Sequence, residues 1–241
     1  MNPLPALPAC CTPLDDHWPL PDALPDTVLL STRFDPSLLV PDDFRRSQIE
    51  PPPSVQRSVA KRQAEFLAGR LCARAALLQL QGLDCSPAIG EDRAPVWPSG
   101  ICGSITHSTG HAAAIVAQKA DWRGLGMDLE NLLNAERAER LAGEILTPAE
   151  LKRMAAGRRE QRALTVTLTF SVKESLFKAL YPIVQQRFYF EHAEVLEWTD
   201  RGQVRLRLLT DLSSEWRNGS ELDAQFAVKE GQLLSLVSIR A

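Results

Sequence analysis

The stretch Gly124-Leu125-Gly126-Met127-Asp128-Leu129-Glu130 limits what this chain can fold into more than any other. Apolar residues alternate here with small or acidic ones, which is the two-residue period of a strand. On such a strand the carboxylates of Asp128 and Glu130 leave the same face. Two carboxylates on one face repel unless a cation, a proton or water relieves them. Hard oxygen ligands at this spacing suit Mg²⁺, which takes one or two carboxylates and completes its shell with substrate phosphate and water. A strand with a solvated acidic edge is the alternative, and the stretch taken alone favours it.

A second stretch changes that balance. Phe170-Ser171-Val172-Lys173-Glu174-Ser175-Leu176-Phe177-Lys178-Ala179-Leu180 reads as a helix running up to Pro182. On it Glu174 and Lys178 are neighbours one turn apart, a spacing that usually marks a solvent-exposed ion pair. Just before it, the β-branched residues of Leu164–Thr169 favour a strand on propensity.

The rest of the chain frames these two stretches. Residues 1–27 are proline-rich without periodicity and read as an extended surface arm. Val28-Leu29-Leu30 is a first strand. After Pro51-Pro52-Pro53, Ser54 is placed to cap a helix that runs to about Gln81 and stops at Gly82. Leu67, Leu71, Ala75 and Leu78 give it a buried stripe. The same helix carries Arg57, Lys61, Arg62, Arg70 and Arg74 against only Glu65, which is either a solvated face or an electropositive wall for a phosphate-rich ligand.

Residues 84–100, broken by Asp84, Pro87, Gly90, Pro95, Pro98 and Gly100, read as a loop holding Arg93. Gly103–Ser108 follows, a hydroxyl-rich segment in which Thr106 and His107 could meet an anion. Ala112–Ala117 is strand-like. Residues 131–146 are rich in Leu, Ala, Glu and Arg and read as helical or mobile. Thr147-Pro148-Ala149-Glu150 is a helix start with Thr as N-cap, Pro at the first position and Glu at the third. The last third reads as strands at Val204–Leu208, Ala224–Val228 and Leu233–Ile239, the final two joined by a Glu230-Gly231 turn.

Composition removes whole classes of function. With 241 residues, 44% hydrophobic, 24% charged and a net charge of −3, the chain has no global case for binding nucleic acid or an anionic membrane. Five cysteines without a CxxC pair imply reduced thiols in the cytoplasm and no zinc site. No Lys or Arg precedes Arg33, the opposite of a signal-peptide start. No apolar run approaches the ~18 residues a membrane helix needs.

In their order and spacing, Lys61–Arg70, Gly103–Ser108, Gly124–Glu130 and Phe170–Lys178 resemble the 4′-phosphopantetheinyl transferases of the Sfp type. The likeness is to the branch that includes enterobactin synthetase component D, and to its broad-specificity members. The Phe-Ser-x-Lys-Glu-Ser-x-x-Lys block is the most specific part. Leu and Met in the glycine strand, and Thr106 where a serine is commoner, are mild departures.

The resemblance implies an α/β (α+β) protein of two similar, pseudo-symmetric halves with a coenzyme A site between them. The halves would be residues 1–122, with the arm, basic helix and phosphate-binding segment, and 123–241, with the metal strand, the Glu/Lys helix and the β-rich C-terminus. It implies that Asp128, Glu130 and Glu174 hold Mg²⁺, or Mn²⁺, with the coenzyme A pyrophosphate. Lys61, Arg62, Arg70, Arg93, Thr106 and His107 would hold the nucleotide phosphates. Glu174 would act as base, directly or through water, and Lys178 would meet the departing phosphate. The partners implied are apo acyl-carrier and peptidyl-carrier proteins of fatty acid, polyketide, nonribosomal peptide or siderophore synthases, served by a monomer. Leu132, Leu133, Arg137, Arg140 and Leu141 are placed to meet such a carrier, unless residues 131–146 simply pack as a structural helix. Two other classes share the same residues: a coenzyme A-dependent acyltransferase or metal-dependent phosphohydrolase, and a non-catalytic coenzyme A or carrier-binding subunit.

Overall fold

In the computed structural model, which describes residues 7–91 and 93–241, the chain folds as two units, each a long helix laid on an antiparallel sheet. The first unit comprises the chain up to Trp18 and Pro25–Lys119; the second comprises Pro19–Leu24 and Ala120–Ala241. The division after Lys119 falls just before the position expected from the sequence.

The first unit begins with strand β1 (Thr27–Arg33) and two single-turn helices, α1 (Asp43–Arg46) and α2 (Pro53–Gln56). The long helix α3 (Ala60–Gln81) follows, then a small hairpin of β2 (Ala88–Ile89) and β3 (Pro95–Val96). Strands β4 (Ile101–Ser108) and β5 (His111–Gln118) complete a sheet in the order β1–β5–β4. Ile101 and Ile115 of this sheet and Leu67 and Leu77 of α3 are fully buried, each contributing about 1.5–3 kcal/mol by leaving water.

The second unit starts with β6 (Trp122–Asn131), the strand that carries Asp128 and Glu130. Helices α4 (Ala135–Ile145), α5 (Pro148–Ala156) and α6 (Arg162–Val184) come next. Strands β7 (Ala193–Trp198), β8 (Gln203–Leu208), β9 (Glu221–Lys229) and β10 (Gln232–Arg240) then build a sheet in the order β6–β10–β9–β8–β7. The β9–β10 hairpin turns on Glu230 and Gly231, both at positive φ, as a two-residue turn between right-twisted strands requires.

Helix α6 lies unusually close to β6, and glycine is the cause. A Cβ at Gly126 would collide with the Ser175 carbonyl, and one at Gly124 with that of Ala179. The small positions of the acidic strand thus admit the helix that carries Glu174 and Lys178. Beside them, Ser171 and Ser175 hydrogen-bond the Ser235 hydroxyl at 2.7 and 2.8 Å, all three buried.

Several sequence expectations need correction. Leu164–Thr169 is the first part of α6, not a strand. Thr165 and Thr167 donate their hydroxyls to the Gln161 and Ala163 carbonyls one turn back, and Val166 and Leu168 are buried, so packing overrides strand propensity. The helix expected from Ser54 is two pieces. The chain leaves helical geometry before Val59, and the Gln63 amide caps the carbonyls of Gln56 and Ser58 at the break. The Leu67 stripe is also wider than expected: α3 is buried nearly all round, Arg70 and Arg74 included. Of the proline-rich arm, residues 1–6 lie outside the described residues. The rest is no free arm: Cys10 and Cys11 are buried, and Cys11 and Asp15 bridge to Phe34 and Ser31. Residues 19–24 belong to the second unit, where Asp22 and the Gln225 amide exchange hydrogen bonds.

Candidate active site

In the second unit, the strand period and the helix period meet. Asp128 and Glu130 leave the face of β6 on which α6 lies, opposite the buried Leu125, Met127 and Leu129. One turn of α6 presents Glu174 and Lys178 to them. The Lys178 ammonium donates to Asp128 Oδ1 at 2.6 Å and to the Met127 carbonyl at 3.1 Å. Asp128 is 5% exposed, so the solvated acidic edge is excluded for it. Its second oxygen, Oδ2, is buried without a hydrogen-bond partner among the described residues.

The crowding of negative charge shows in the carboxyl groups. Burial pushes Glu130 up to about 7; Asp128 and Glu174 add to the rise, and Lys178 and Arg137 oppose it. Burial likewise raises Glu174, against the pull of Lys178 and with a push from Asp128. Three carboxyl groups therefore share one ammonium, and the site has a standing demand for positive charge.

Hard oxygens in this number, one of them buried and unpaired, fit a small divalent cation. Among the described residues, however, no three His, Cys, Asp or Glu side chains stand assembled for a metal ion. The Lys178 ammonium already occupies the other oxygen of the Asp128 carboxylate.

Beside Glu174 opens a cavity of about 200 Å³, walled by Phe177, Phe188, Tyr189 and Phe190 with Arg187 at its side. Its wall is held by a second lysine. Lys173 Nζ, one residue before Glu174, donates to Glu150 at 2.8 Å and to the carbonyls of Ile145 and Phe190, both at 2.9 Å. Glu150 also accepts from the Thr147 and Val195 amides. The sequence identified Glu150 only as a capping-box residue, and that box is present. Its buried lysine partner is a long-range contact that no local spacing announces.

The first unit holds a separate basic group. An Arg62 Nη lies 2.9 Å from His107 Nε2, and Glu65 stands 3.8 Å from the other ring nitrogen. Arg70 is 6% exposed with its guanidinium 5.1 Å over the Phe66 ring, and its buried Nε has no partner among the described residues. Burial, and then Arg62, bring Arg70 down to about 10. With no carboxylate paired to it among the described residues, this buried guanidinium is a strong invitation to an anion.

Not every expected residue joins this group. Thr106 and His107 are neighbours on a strand and leave opposite faces, so the structure does not bring them together. Arg93 sits exposed in the β2–β3 turn, its amide donating to the Gly90 carbonyl, with no bond to Arg62 or His107. Lys61 is exposed at the start of α3. Arg74 is structural: it binds Asp84 at 2.5 Å and the Ser47 carbonyl at 2.7 Å.

Residues 50–117 match the 4′-phosphopantetheinyl transferase N-terminal domain, and residues 124–233 match the 4′-phosphopantetheinyl transferase superfamily. The chain is 36% identical over 192 residues to the 4′-phosphopantetheinyl transferase Svp of Streptomyces mobaraensis, covering 78% of this chain and 76% of that one. This chain belongs to the 4′-phosphopantetheinyl transferase family. As a phosphopantetheinyl transferase it is also 34% identical over 174 residues to PptT of Mycobacterium tuberculosis, covering 68% of this chain and 73% of the relative. Enterobactin synthase component D of Escherichia coli O157:H7 is 41% identical over 145 residues, 60% of this chain. That last match spans 66% of the relative's length. The family resemblance drawn from Phe170–Lys178 and Gly124–Glu130 is thereby borne out, and both stretches lie inside the superfamily match. No helix among the described residues is long and apolar enough to cross a membrane.

Proposed function

We propose that this phosphopantetheinyl transferase moves the 4′-phosphopantetheine arm of coenzyme A onto a serine of apo acyl-carrier and peptidyl-carrier proteins, releasing 3′,5′-ADP. The observation that carries the reading is the meeting of Asp128 and Glu130 on β6 with Glu174 and Lys178 on α6, around one unpaired buried oxygen. The family membership and the names of the relatives support the reaction class.

The chemistry follows from charge. The carrier serine attacks the β-phosphorus of coenzyme A, its O–H proton leaves, and the bond to the bridging diphosphate oxygen breaks. Phosphate oxygens repel an incoming nucleophile, so positive charge must meet the charge that develops. A divalent cation held by Asp128, Glu130 and Glu174, Mg²⁺ or Mn²⁺, would supply that charge as a Lewis acid. Glu174 accepts the serine proton; its raised affinity for protons suits it to the task. Lys178 neutralises the departing phosphate oxygen.

Arg62, Arg70 and His107 bind the nucleotide phosphates of coenzyme A, a role supported by the buried, carboxylate-free guanidinium of Arg70. The same role for Lys61, Arg93 and Thr106 rests on the resemblance alone. The aromatic cavity beside Glu174 suits the uncharged arm of coenzyme A. The absence of disulfides among the described residues fits a cytoplasmic protein, acting here as a monomer.

Incubation with coenzyme A, Mg²⁺ and a panel of apo-carriers, read by intact-protein mass spectrometry, tests the proposal. Gain of one phosphopantetheine on a carrier is expected. Hydrolysis of coenzyme A without transfer, or binding without any reaction, contradicts it.

A further inference from the structure

The two acceptors of the Lys178 ammonium are a carboxylate oxygen and a backbone carbonyl of consecutive β6 residues, at 2.6 and 3.1 Å. Such a pair of hard oxygens is what a divalent cation would take. The other Asp128 oxygen is buried and has no partner among the described residues, and no three-residue metal group stands assembled around it. We infer that Lys178 is an internal counter-cation that holds the Asp128 carboxylate in the free protein and must leave it before a divalent ion can bind.

The side chain is built for departure. Lys178 is 29% exposed, whereas Lys173 on the same helix is 2% exposed and tied to three acceptors. Ammonium and metal ion would share the two oxygens of one carboxylate and repel each other at that distance. The ion therefore binds the free protein weakly, because each binding event includes breaking the Lys178–Asp128 pair. An anion that gives the ammonium another partner removes this penalty. Under the reading proposed above, on which this part rests, that anion is the diphosphate of coenzyme A, so the two ligands tighten each other's binding through Lys178. By linkage the coupling is reciprocal.

The test is Mn²⁺ titrated alone into the full-length protein, with free Mn²⁺ read by electron paramagnetic resonance. Lys178→Met should bind Mn²⁺ at least about tenfold tighter than the unaltered protein, the low end of what removing a unit charge a few ångströms away gives. Lys178→Gln, neutral but polar, should tighten binding in the same direction, and Lys178→Arg should not. Circular dichroism selects the variants that keep the fold. Unchanged or weaker Mn²⁺ binding in both folded neutral variants overturns the inference. The transfer assay separates this from the functional reading. Tighter Mn²⁺ binding without any carrier modification by the unaltered protein sinks that reading and leaves the counter-cation standing. Transfer with no tightening does the reverse.

Discussion

Lys173 and Lys178 stand little more than a turn apart on α6, and each pairs with a carboxylate, yet the two pairs differ in kind. The Lys173–Glu150 pair is 2% and 4% exposed, and beyond each other the two side chains bond backbone groups of Ile145, Thr147, Phe190 and Val195. Burial lowers the Lys173 ammonium, and Glu150 is the largest force opposing that shift. Lys178–Asp128 is 29% and 8% exposed and leaves one carboxylate oxygen without a partner among the described residues. A saturated pair is a structural rivet; an unsaturated one still has something to bind. Incompleteness, not burial, distinguishes the pair proposed to react.

The sharpest way to break this comparison is to break the rivet. Glu150→Ala leaves Lys173 buried without its counter-ion and orphans two amides, so stability should fall by about 3–5 kcal/mol in urea unfolding. A loss no larger than that of a surface mutation would mean Lys173 finds water, and the contrast with Lys178 would collapse. Next in size is Glu174→Gln, which keeps shape and one ligand oxygen but cannot take the serine proton. Turnover should fall by roughly 10²–10⁴, with coenzyme A binding much less affected. Parallel losses of both would make Glu174 a ligand only.

A smaller effect tests whether the helix between the two motifs is structural. Leu133 and Leu141 pack with Ala138, Ala142 and Val166, and the Leu133 amide donates to Thr167. Leu133→Ala or Leu141→Ala should therefore lose about 1–2 kcal/mol, below the fully buried range because both are half-exposed. A raised carrier KM with unchanged stability would favour a docking role instead. Arg137 and Arg140 on α4 are exposed, as is Leu132 before it.

The smallest effect concerns Glu130. Its folded carboxyl is raised to about 7 from 4.5, so the folded state prefers the protonated form. The favourable contribution is full below the unfolded value and is lost as pH rises through about 7. Without metal, thermal stability should decline across that window, and Glu130→Gln should flatten the decline. A metal-free melting profile that is the same in both proteins removes this account of Glu130.

Much of this site was legible because two local periods encoded it. Alternation put Asp128 and Glu130 on one face, and the helical turn paired Glu174 with Lys178. What brings the two faces together was visible only as glycine: Gly124 and Gly126 looked like small residues of a strand and prove to be the seat of α6. The rivet was not legible, since Glu150 and Lys173 lie 23 residues apart on two different helices and Glu150 already had a local role as a cap. Nor was the fate of the basic helix. The sequence put Arg62, Arg70 and Arg74 on one basic helix, but only tertiary contacts show that Arg74 is spent on Asp84 while Arg70 Nε has no partner among the described residues. The threonine-rich start of α6 misled because propensity is weaker than packing on a buried helix.

The most direct test compares Asp128→Asn with the unaltered protein under one set of conditions, measuring carrier modification by mass and thermal stability together. Lys178 can reach solvent when its partner is neutralised, so the melting temperature should move by only a few degrees, consistent with a change within about 1 kcal/mol. Turnover should fall by at least about a hundredfold, because the unpaired oxygen and its charge are what the site offers the reaction. Near-unaltered turnover in a folded Asp128→Asn protein would contradict the assignment of this pair as the reacting one.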